Sequence, residues 1–359
     1  MNLFFGGDLA WPEPNAVDVS ALRNLCSNGC LMVNLEGGAI AGAAAETPVN
    51  NEHKFNIYSH ASVFDLLREL NVVAAGLANN HITDYVGSIE YSKAGLAERG
   101  IALCGTTEQP WCRFTVDGRE FVVLATCSPL PEPRTDSRND AALIFRPAAA
   151  LRQLRELRAA HPTATLVAFP HWGYELAKYP QPADRAWARA AIDAGVDYVI
   201  GHHPHVVQGL EKYRNGIIAY SLGNLVLPQV PYRGRKLHYK TGAVCDQLVL
   251  ETTGDGMRAH WLRYDPNAHQ LEYLGNEDAL DSPRLAARTP FDGMDDAEYR
   301  RWFASTGQFG TDGKRGSVVL WRYDGWGNAD TTLKFSFLKG RAVARSLAIT
   351  AGLHKPYNW

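Results

Sequence analysis

The sequence lacks the marks of several large functional classes. Its six cysteines, at 26, 30, 104, 112, 127 and 245, form no CxxC pair. Cys26 and Cys30 stand one helical turn apart, but Gly29 interrupts the segment between them. Scattered in this way, they read as reduced thiols acting as small core residues. No apolar run reaches the roughly 18–20 residues needed to span a bilayer. The opening segment Met1-Asn-Leu-Phe-Phe-Gly-Gly-Asp8 has neither a basic leader nor a long apolar stretch, and reads as a strand entering a loop. From this a soluble, cytoplasmic protein is expected. Basic residues are not in excess, with 36 Lys and Arg against 38 Asp and Glu and a net charge of −2, so no nucleic-acid partner is expected. There is no internal repeat and no low-complexity run.

What remains is the composition of a globular chain, 46% hydrophobic and 21% charged over 359 residues, long enough for a large core. Short apolar runs bounded by Gly, Pro, Asn or His predict strands at Leu3–Gly6, Leu31–Asn34, Val72–Gly76, Thr165–Phe169, Tyr198–Ile200 and Ile217–Tyr220. Such runs fit strands buried on both faces. Amphipathic spacing predicts helices over Ala61–Leu70, Ala148–Ala160 and Asp184–Ala194, the last following Pro182. Alternation of strand and helix favours a layered α/β domain with right-handed crossovers. Asp117-Gly118 predicts a hairpin between Cys112–Val116 and Glu120–Thr126, and a second hairpin is expected between Ala243–Glu251 and Met257–Tyr264. Residues 265–315 show little periodicity, and Ser317–Tyr323 and Thr332–Phe337 read as further strands. The main domain is therefore drawn over 1–265, with a C-terminal extension of unassigned role over 266–359.

The chemistry concentrates just after the predicted strands. Five of the twelve histidines lie in three short segments: His81, His171, and His202, His203 and His205. Asp8 and the Asn34-Leu-Glu36-Gly37 loop also follow strands. Loops at the carboxyl ends of strands gather at one edge of an open α/β sheet. Asp, Glu, Asn and His are the ligand types of a hard-to-borderline divalent cation. Taken singly, each segment has a structural explanation: Gly7-Asp8 as a turn, Glu36 as a loop charge, Asn79-Asn80-His81 as a helix cap, His171-Trp172 as a packed corner. Three imidazoles on a Pro-containing turn, Gly201-His202-His203-Pro204-His205, are hard to explain by packing. Asp84, three residues after His81, is placed to accept a hydrogen bond from its ring and orient it.

The ordered series Gly7-Asp8, Asn34-Leu-Glu36-Gly37, Ala78-Asn-Asn-His81-Ile-Thr-Asp84, His171-Trp-Gly-Tyr-Glu175, Gly201-His-His-Pro-His205 and Tyr220-Ser-Leu-Gly-Asn224 resembles the CapA-type capsule-synthesis (poly-γ-glutamate) proteins, a branch of the calcineurin-like metallophosphoesterases. The resemblance implies a four-layer α/β/β/α fold, β-sheets sandwiched between helices, holding one or two divalent metal ions (Mn, Fe or Zn). It implies Asp8 and His205 on one metal, Asn80, His171 and His203 on the second, and Glu36 where relatives place a bridging aspartate. His81 would act outside the metals as general acid, oriented by Asp84. Glu175, Ser221, Asn224 and His202 would line the substrate pocket. The implied activity is metal-dependent hydrolysis of a phosphoester or γ-glutamyl-type amide in a small-molecule or polymer substrate. The alternative is a non-catalytic, metal-stabilised subunit of a capsule-synthesis assembly. The phosphoesterases carry Asp-x-His at the first motif, whereas Leu9 and Ala10 follow Asp8 here. Capsule members often carry an N-terminal membrane anchor, and reading the first residues as a strand instead favours a small or cytosolic substrate.

Overall fold

A computed structural model describes residues 1–42, 55–128, 142–239, 241–254 and 256–306. The chain opens with β1 (Asn2–Leu9), α1 (Ser20–Cys26), β2 (Gly29–Leu35) and the short β3 (Ala39–Ile40). It continues through β4 (Ser59–His60), α2 (Val63–Glu69), β5 (Val72–Gly76), α3 (Ser88–Ala97) and β6 (Ala102–Cys104). The hairpin β7 (Trp111–Val116) and β8 (Arg119–Cys127) precedes α4 (Pro147–Ala160), β9 (Thr165–His171), α5 (Pro182–Asp193) and β10 (Tyr198–Ile200). Then come β11 (Leu210–Tyr213), β12 (Gly216–Ala219), β13 (Asn224–Val226), β14 (Pro231–Tyr232) and β15 (Arg235–Lys236). The described part closes with β16 (Asp246–Thr252), β17 (Met257–Asp265), β18 (Gln270–Asp278), α6 (Pro283–Ala286) and α7 (Asp296–Ser305).

Two sheets organise these strands. One runs β18-β17-β16-β1-β2-β5-β6, with β13 alongside the end of β1; the other runs β11-β12-β10-β9-β8-β7. In the first, β1, β2, β5 and β6 are parallel, and in the second β8, β9, β10 and β12 are parallel.

Strand alternation explains the layering. On β1, Leu3 and Phe5 turn into the cluster between the sheets, where Val123, Ala125, Val167 and Phe169 meet them. Phe4 turns the other way, into a cluster with Leu22 of α1, Leu67 of α2 and Leu96 of α3. On β8 and β9, the outward Val122, Leu124, Leu166 and Ala168 pack with Leu154 of α4, Trp187 of α5 and Phe303 of α7. The result is helix, sheet, sheet, helix, the four-layer arrangement that the resemblance implies. Strands buried on both faces must be apolar at every position, so they appear in the sequence as unbroken runs and not as alternation.

The second hairpin differs in detail from its expected form. Residues 242–245 form a 3₁₀ turn, with Thr241 capping it, and the strand begins at Asp246. Three elements, β18, α6 and α7, lie beyond residue 265, where periodicity gave no signal. β18 pairs along β17 from Asp265↔Gln270 to Arg258↔Asp278, and α7 packs on α5. As an edge strand, β18 is mostly exposed and carries few apolar residues to betray it. The strands read at Ser317–Tyr323 and Thr332–Phe337 lie outside the described residues.

A buried ion pair fastens α7 and the segment before it. Arg185 of α5 is fully buried and grips Glu211 of β11 with two bonds, Nε–Oε2 3.0 Å and Nη2–Oε1 2.9 Å. Arg189 and the Tyr220 hydroxyl donate to the same carboxylate, and Arg185 also donates to the Met294 carbonyl and lies 4.6 Å over the Tyr299 ring. Burial works to raise the Glu211 pKa, but Arg185, Tyr220 and Arg189 outweigh it and hold the group below 4.5. Its stabilising contribution is therefore complete above the unfolded-state pKa and is lost as pH falls through the depressed folded-state value. We expect Glu211→Gln to flatten the fall of Tm with pH below about 4.5 relative to wild type. Arg185→Met, which strands a buried carboxylate, should cost about 3–5 kcal/mol in denaturant unfolding. Unchanged pH dependence in Glu211→Gln would show that the clamp contributes nothing.

Candidate metal centre

The carboxyl ends of the parallel strands in both sheets open toward one place. Asp8 ends β1, Glu36 follows β2, Asn80 and His81 follow β5, His171 ends β9, and His203 and His205 follow β10. Asp8, Glu36, His171, His202 and His205 are buried to 2% exposure or less.

Glu36 stands at the centre. Its Oε1 is 3.7 Å from His171 Nε2 and 4.0 Å from His81 Nε2, and its Oε2 is 3.7 Å from His205 Nδ1. Ligand atoms of Glu36, His203 and His205 all lie within 4.8 Å of one another. To one side, Asp8 Oδ2 is 3.4 Å from His205 Nδ1, which also contacts Asn224 Oδ1 at 2.9 Å. To the other, Asn80 Oδ1 is 2.7 Å from His171 Nε2, and the His171 and His203 rings are 4.8 Å apart.

The donor set fits a divalent cation. Oxygen and imidazole ligands sit about 2.0–2.2 Å from such an ion, which places two of them roughly 3.0–3.4 Å apart. The separations here are of that order. Three oxygens, from Asn224, Asp8 and Glu36, converge on the single nitrogen His205 Nδ1, so a proton occupies the point where positive charge is demanded. Burial opposes that proton, but Glu36 and Asp8 raise the His205 pKa to about 10. The Asp8 carboxyl, which burial alone would raise, is held well below the usual range by its bond to His205 and by the neighbouring imidazoles. Burial and the His203 ring hold His171 well below its ordinary value.

Backbone geometry aims these groups. His203 and His205 adopt positive φ angles of 99° and 58°, unusual for residues with a Cβ and worth of order 1–3 kcal/mol of strain each. The loop is held in this shape by lacing to its neighbour: Trp172 N donates to the His202 carbonyl, His202 N to Pro170, Leu176 N to Pro204, and Trp172 Nε1 to the Tyr220 carbonyl. At Gly201 a Cβ would lie 2.1 Å from the Tyr220 carbonyl oxygen, so only glycine lets the β10 and β12 loops approach this closely.

His81 is held at the rim. Its Nδ1 is 2.6 Å from Asp84 Oδ2, which also accepts from Ile57 N at 2.9 Å. A carboxylate has nothing to donate, so Nδ1 carries the proton and Nε2 is the edge turned toward Glu36. Ser221 Oγ accepts from Gly223 N within its own turn. Glu175 is exposed, and its charge acts on His205 and Tyr239. His202 lies beneath the centre, with Nε2 3.2 Å from the Gly6 carbonyl and its ring 4.0 Å from that of Phe169. Leu9 and Ala10 are fully buried in apolar packing and offer the centre no ligand.

Sequence reading gave no role to three residues that shape the centre. Asn34 Nδ2 donates to Asp8 Oδ1 at 2.8 Å and lies 3.2 Å from His171 Nδ1. Asn79 donates to the Leu35 carbonyl and accepts from His81 N, tying the β2 and β5 loops together. Asn34 stands two residues before Glu36, and Asn79 directly before Asn80. The Tyr239 ring, 5.5 Å from that of His205, had no local signal.

Residues 17–229 match the family described as bacterial capsule synthesis protein PGA_cap. The chain belongs to that family. It is 33% identical over 173 residues to the capsule biosynthesis protein CapA of Bacillus anthracis, a match covering 45% of this chain and 42% of that protein. It is 49% identical over 59 residues to the PGA biosynthesis protein CapA of Bacillus subtilis, 16% of each chain. The match thus spans less than half the length of either relative. Among solved structures, a hypothetical protein from Thermus thermophilus aligns with TM-score 0.43 and 15% identity over 78% of this chain and 100% of its own. The family match takes in Glu36, Asn80, His171, His203 and His205, while Asp8 precedes it. Elemental analysis of purified protein checks the centre directly. Glu36→Ala and His203→Ala should each lower bound divalent metal by tenfold or more, and wild-type metal content in both would sink the assignment.

Proposed function

We propose that this protein is a metal-dependent hydrolase whose reaction centre is the Glu36 cup. The observation that carries the reading is the central Glu36 carboxylate, within 3.7 Å of imidazoles on opposite sides, beside a rim imidazole clamped by its own carboxylate. Asp8, Glu36 and His205 would hold one cation, and Glu36, Asn80, His171 and His203 the other. This mixture of oxygen and nitrogen donors suits manganese, iron or zinc. A divalent cation bound there supplies Lewis acidity and lowers the pKa of a water ligand from about 15.7 toward about 7.

The chain's own groups supply the rest. Asp84 fixes the His81 tautomer and stabilises its protonated form, so that His81 delivers a proton from Nε2 to the leaving-group oxygen or nitrogen. Asn34 and Asn79 hold Asp8, His171 and the His81 loop in register, so the groups need no reorganisation as charge develops. The cup sits between two sheets and below surface loops, which keeps bulk water from competing for its dipoles. The bond cleaved is a phosphoester or a γ-glutamyl-type amide, the first by analogy with phosphoesterases and the second by the capsule association.

A second reading, a metal-stabilised subunit of a capsule-synthesis assembly, is favoured by one observation: Leu9 and Ala10 stand where the phosphoesterase pattern has an imidazole. Assay of metal-loaded protein on a phosphomonoester and on a γ-glutamyl amide separates the two. Turnover of either is expected, and His81→Ala should lower it about 10²–10⁴-fold with metal content unchanged. Absence of turnover at full metal occupancy defeats the hydrolase reading, and loss of metal in His81→Ala defeats the rim role.

A further inference from the structure

From Lys212 to Cys245 the sequence contains no acidic residue, and within that stretch Arg233, Arg235, Lys236 and Lys240 fall in eight positions. Arg233 stands in the turn of the β14–β15 hairpin and Lys236 on its second strand; the two-residue turn Arg233-Gly234 has φ angles of 48° and 80°, the left-handed pair that a tight hairpin requires.

The hairpin is held by ring packing before and after its turn. Before the turn, the Tyr232 ring packs edge-on against Tyr58 at 5.7 Å and Phe55 at 5.5 Å. After it, Tyr239 lies against His205. At the turn, the Arg233 guanidinium lies 4.6 Å over the ring of Tyr85, the residue following Asp84. Leu237 N donates to the Val230 carbonyl, and Tyr239 N to Gln229 Oε1, closing the loop. Arg233 is half-buried, while Lys236 and His238 are exposed. The segment thus meets the residue after Asp84 through Arg233 and meets His205 through Tyr239.

We propose that this hairpin is the anionic subsite of the centre: Arg233, held in place by Tyr85, receives a carboxylate or phosphate of the substrate, and Lys236 adds charge at the mouth. The inference rests on reading the Glu36 cup as a metal-dependent reaction centre and adds the class of substrate, one bearing an anionic group beyond the bond that is cut. A planar guanidinium presents two parallel N–H donors to either oxyanion, and stacking removes much of the freedom it would lose on binding.

The test uses the full chain, loaded with metal, and two probes: inorganic phosphate and triglutamate. Binding is measured by calorimetry at low and high salt, with metal content read in parallel. Wild type is expected to bind at least one probe, more weakly as salt rises. The double variant Arg233→Gln with Lys236→Gln is expected to bind it at least tenfold more weakly at unchanged metal content, with partial recovery in Arg233→Lys. Phosphate binding alone identifies a phosphorylated substrate, and triglutamate binding alone a polycarboxylate. Equal binding by wild type and double variant, or no binding of either probe by wild type, overturns the subsite. Glu36→Ala retaining its metal would instead overturn the reading of the cup, an outcome separable from the hairpin result.

Discussion

Two carboxylates taken out of water govern this structure. Asp8 and Glu36 are fully buried within one cup, and a buried carboxylate carries a desolvation penalty of several kcal/mol unless opposite charge and hydrogen bonds offset it. The protein answers with imidazoles, which are a partial answer. Glu36 and Asp8 drive the His205 pKa up to about 10, while burial holds those of His171 and His202 below the ordinary value. The cup therefore keeps a demand for positive charge, surrounded by groups that are good ligands when neutral. That imbalance, more than any single contact, fits the cup for a divalent cation and fixes what its neighbours must do.

The fold exists in a form that concentrates this imbalance at one spot. Parallel strands in two facing sheets send their carboxyl ends the same way, so residues far apart in sequence, from Asp8 to Asn224, arrive within hydrogen-bonding range. Aiming them has a cost. Two histidines sit at positive φ in the loop after β10, together of order 2–6 kcal/mol of local strain. That loop is overdetermined by its bonds to the β9 loop, by Trp172 wedged beneath Tyr220, and by the close approach at Gly201. Core packing on three clusters supplies the stability against which such strain is tolerated.

The central layers and the grouping of the site were legible because the signals were local. Leu3–Gly6 and Thr165–Phe169 had to be apolar throughout, since both faces of each strand are covered, and His171, His203 and Glu36 each followed such a run directly. Asp84 was found by spacing alone, since three residues after His81 is reachable in a single turn. What escaped was non-local or exposed. β18 shows its polar side to water and owes its place to pairing with β17. Tyr239 reaches His205 across 34 residues of chain, and the partner of Arg185 could not be read from its own helix. Asn34 and Asn79 escaped for another reason: an amide that serves only to hold a neighbour looks, in sequence, like any loop amide.

The two buried charged clusters differ in whether their charges are matched within the chain. At the clamp, Glu211 receives two guanidinium bonds from Arg185, a third from Arg189 and a hydroxyl from Tyr220, while aromatic rings flank Arg185. Its charges are matched within the chain, and removing one partner can only weaken the fold. Arginine, moreover, cannot give up its proton, so the pair offers nothing to a reaction. In the cup the partners are histidines, which can exchange a proton for a cation without leaving a carboxylate unmatched. Positive charge there is exchangeable, and the strand ends, asparagine props and strained loop all act to keep it so.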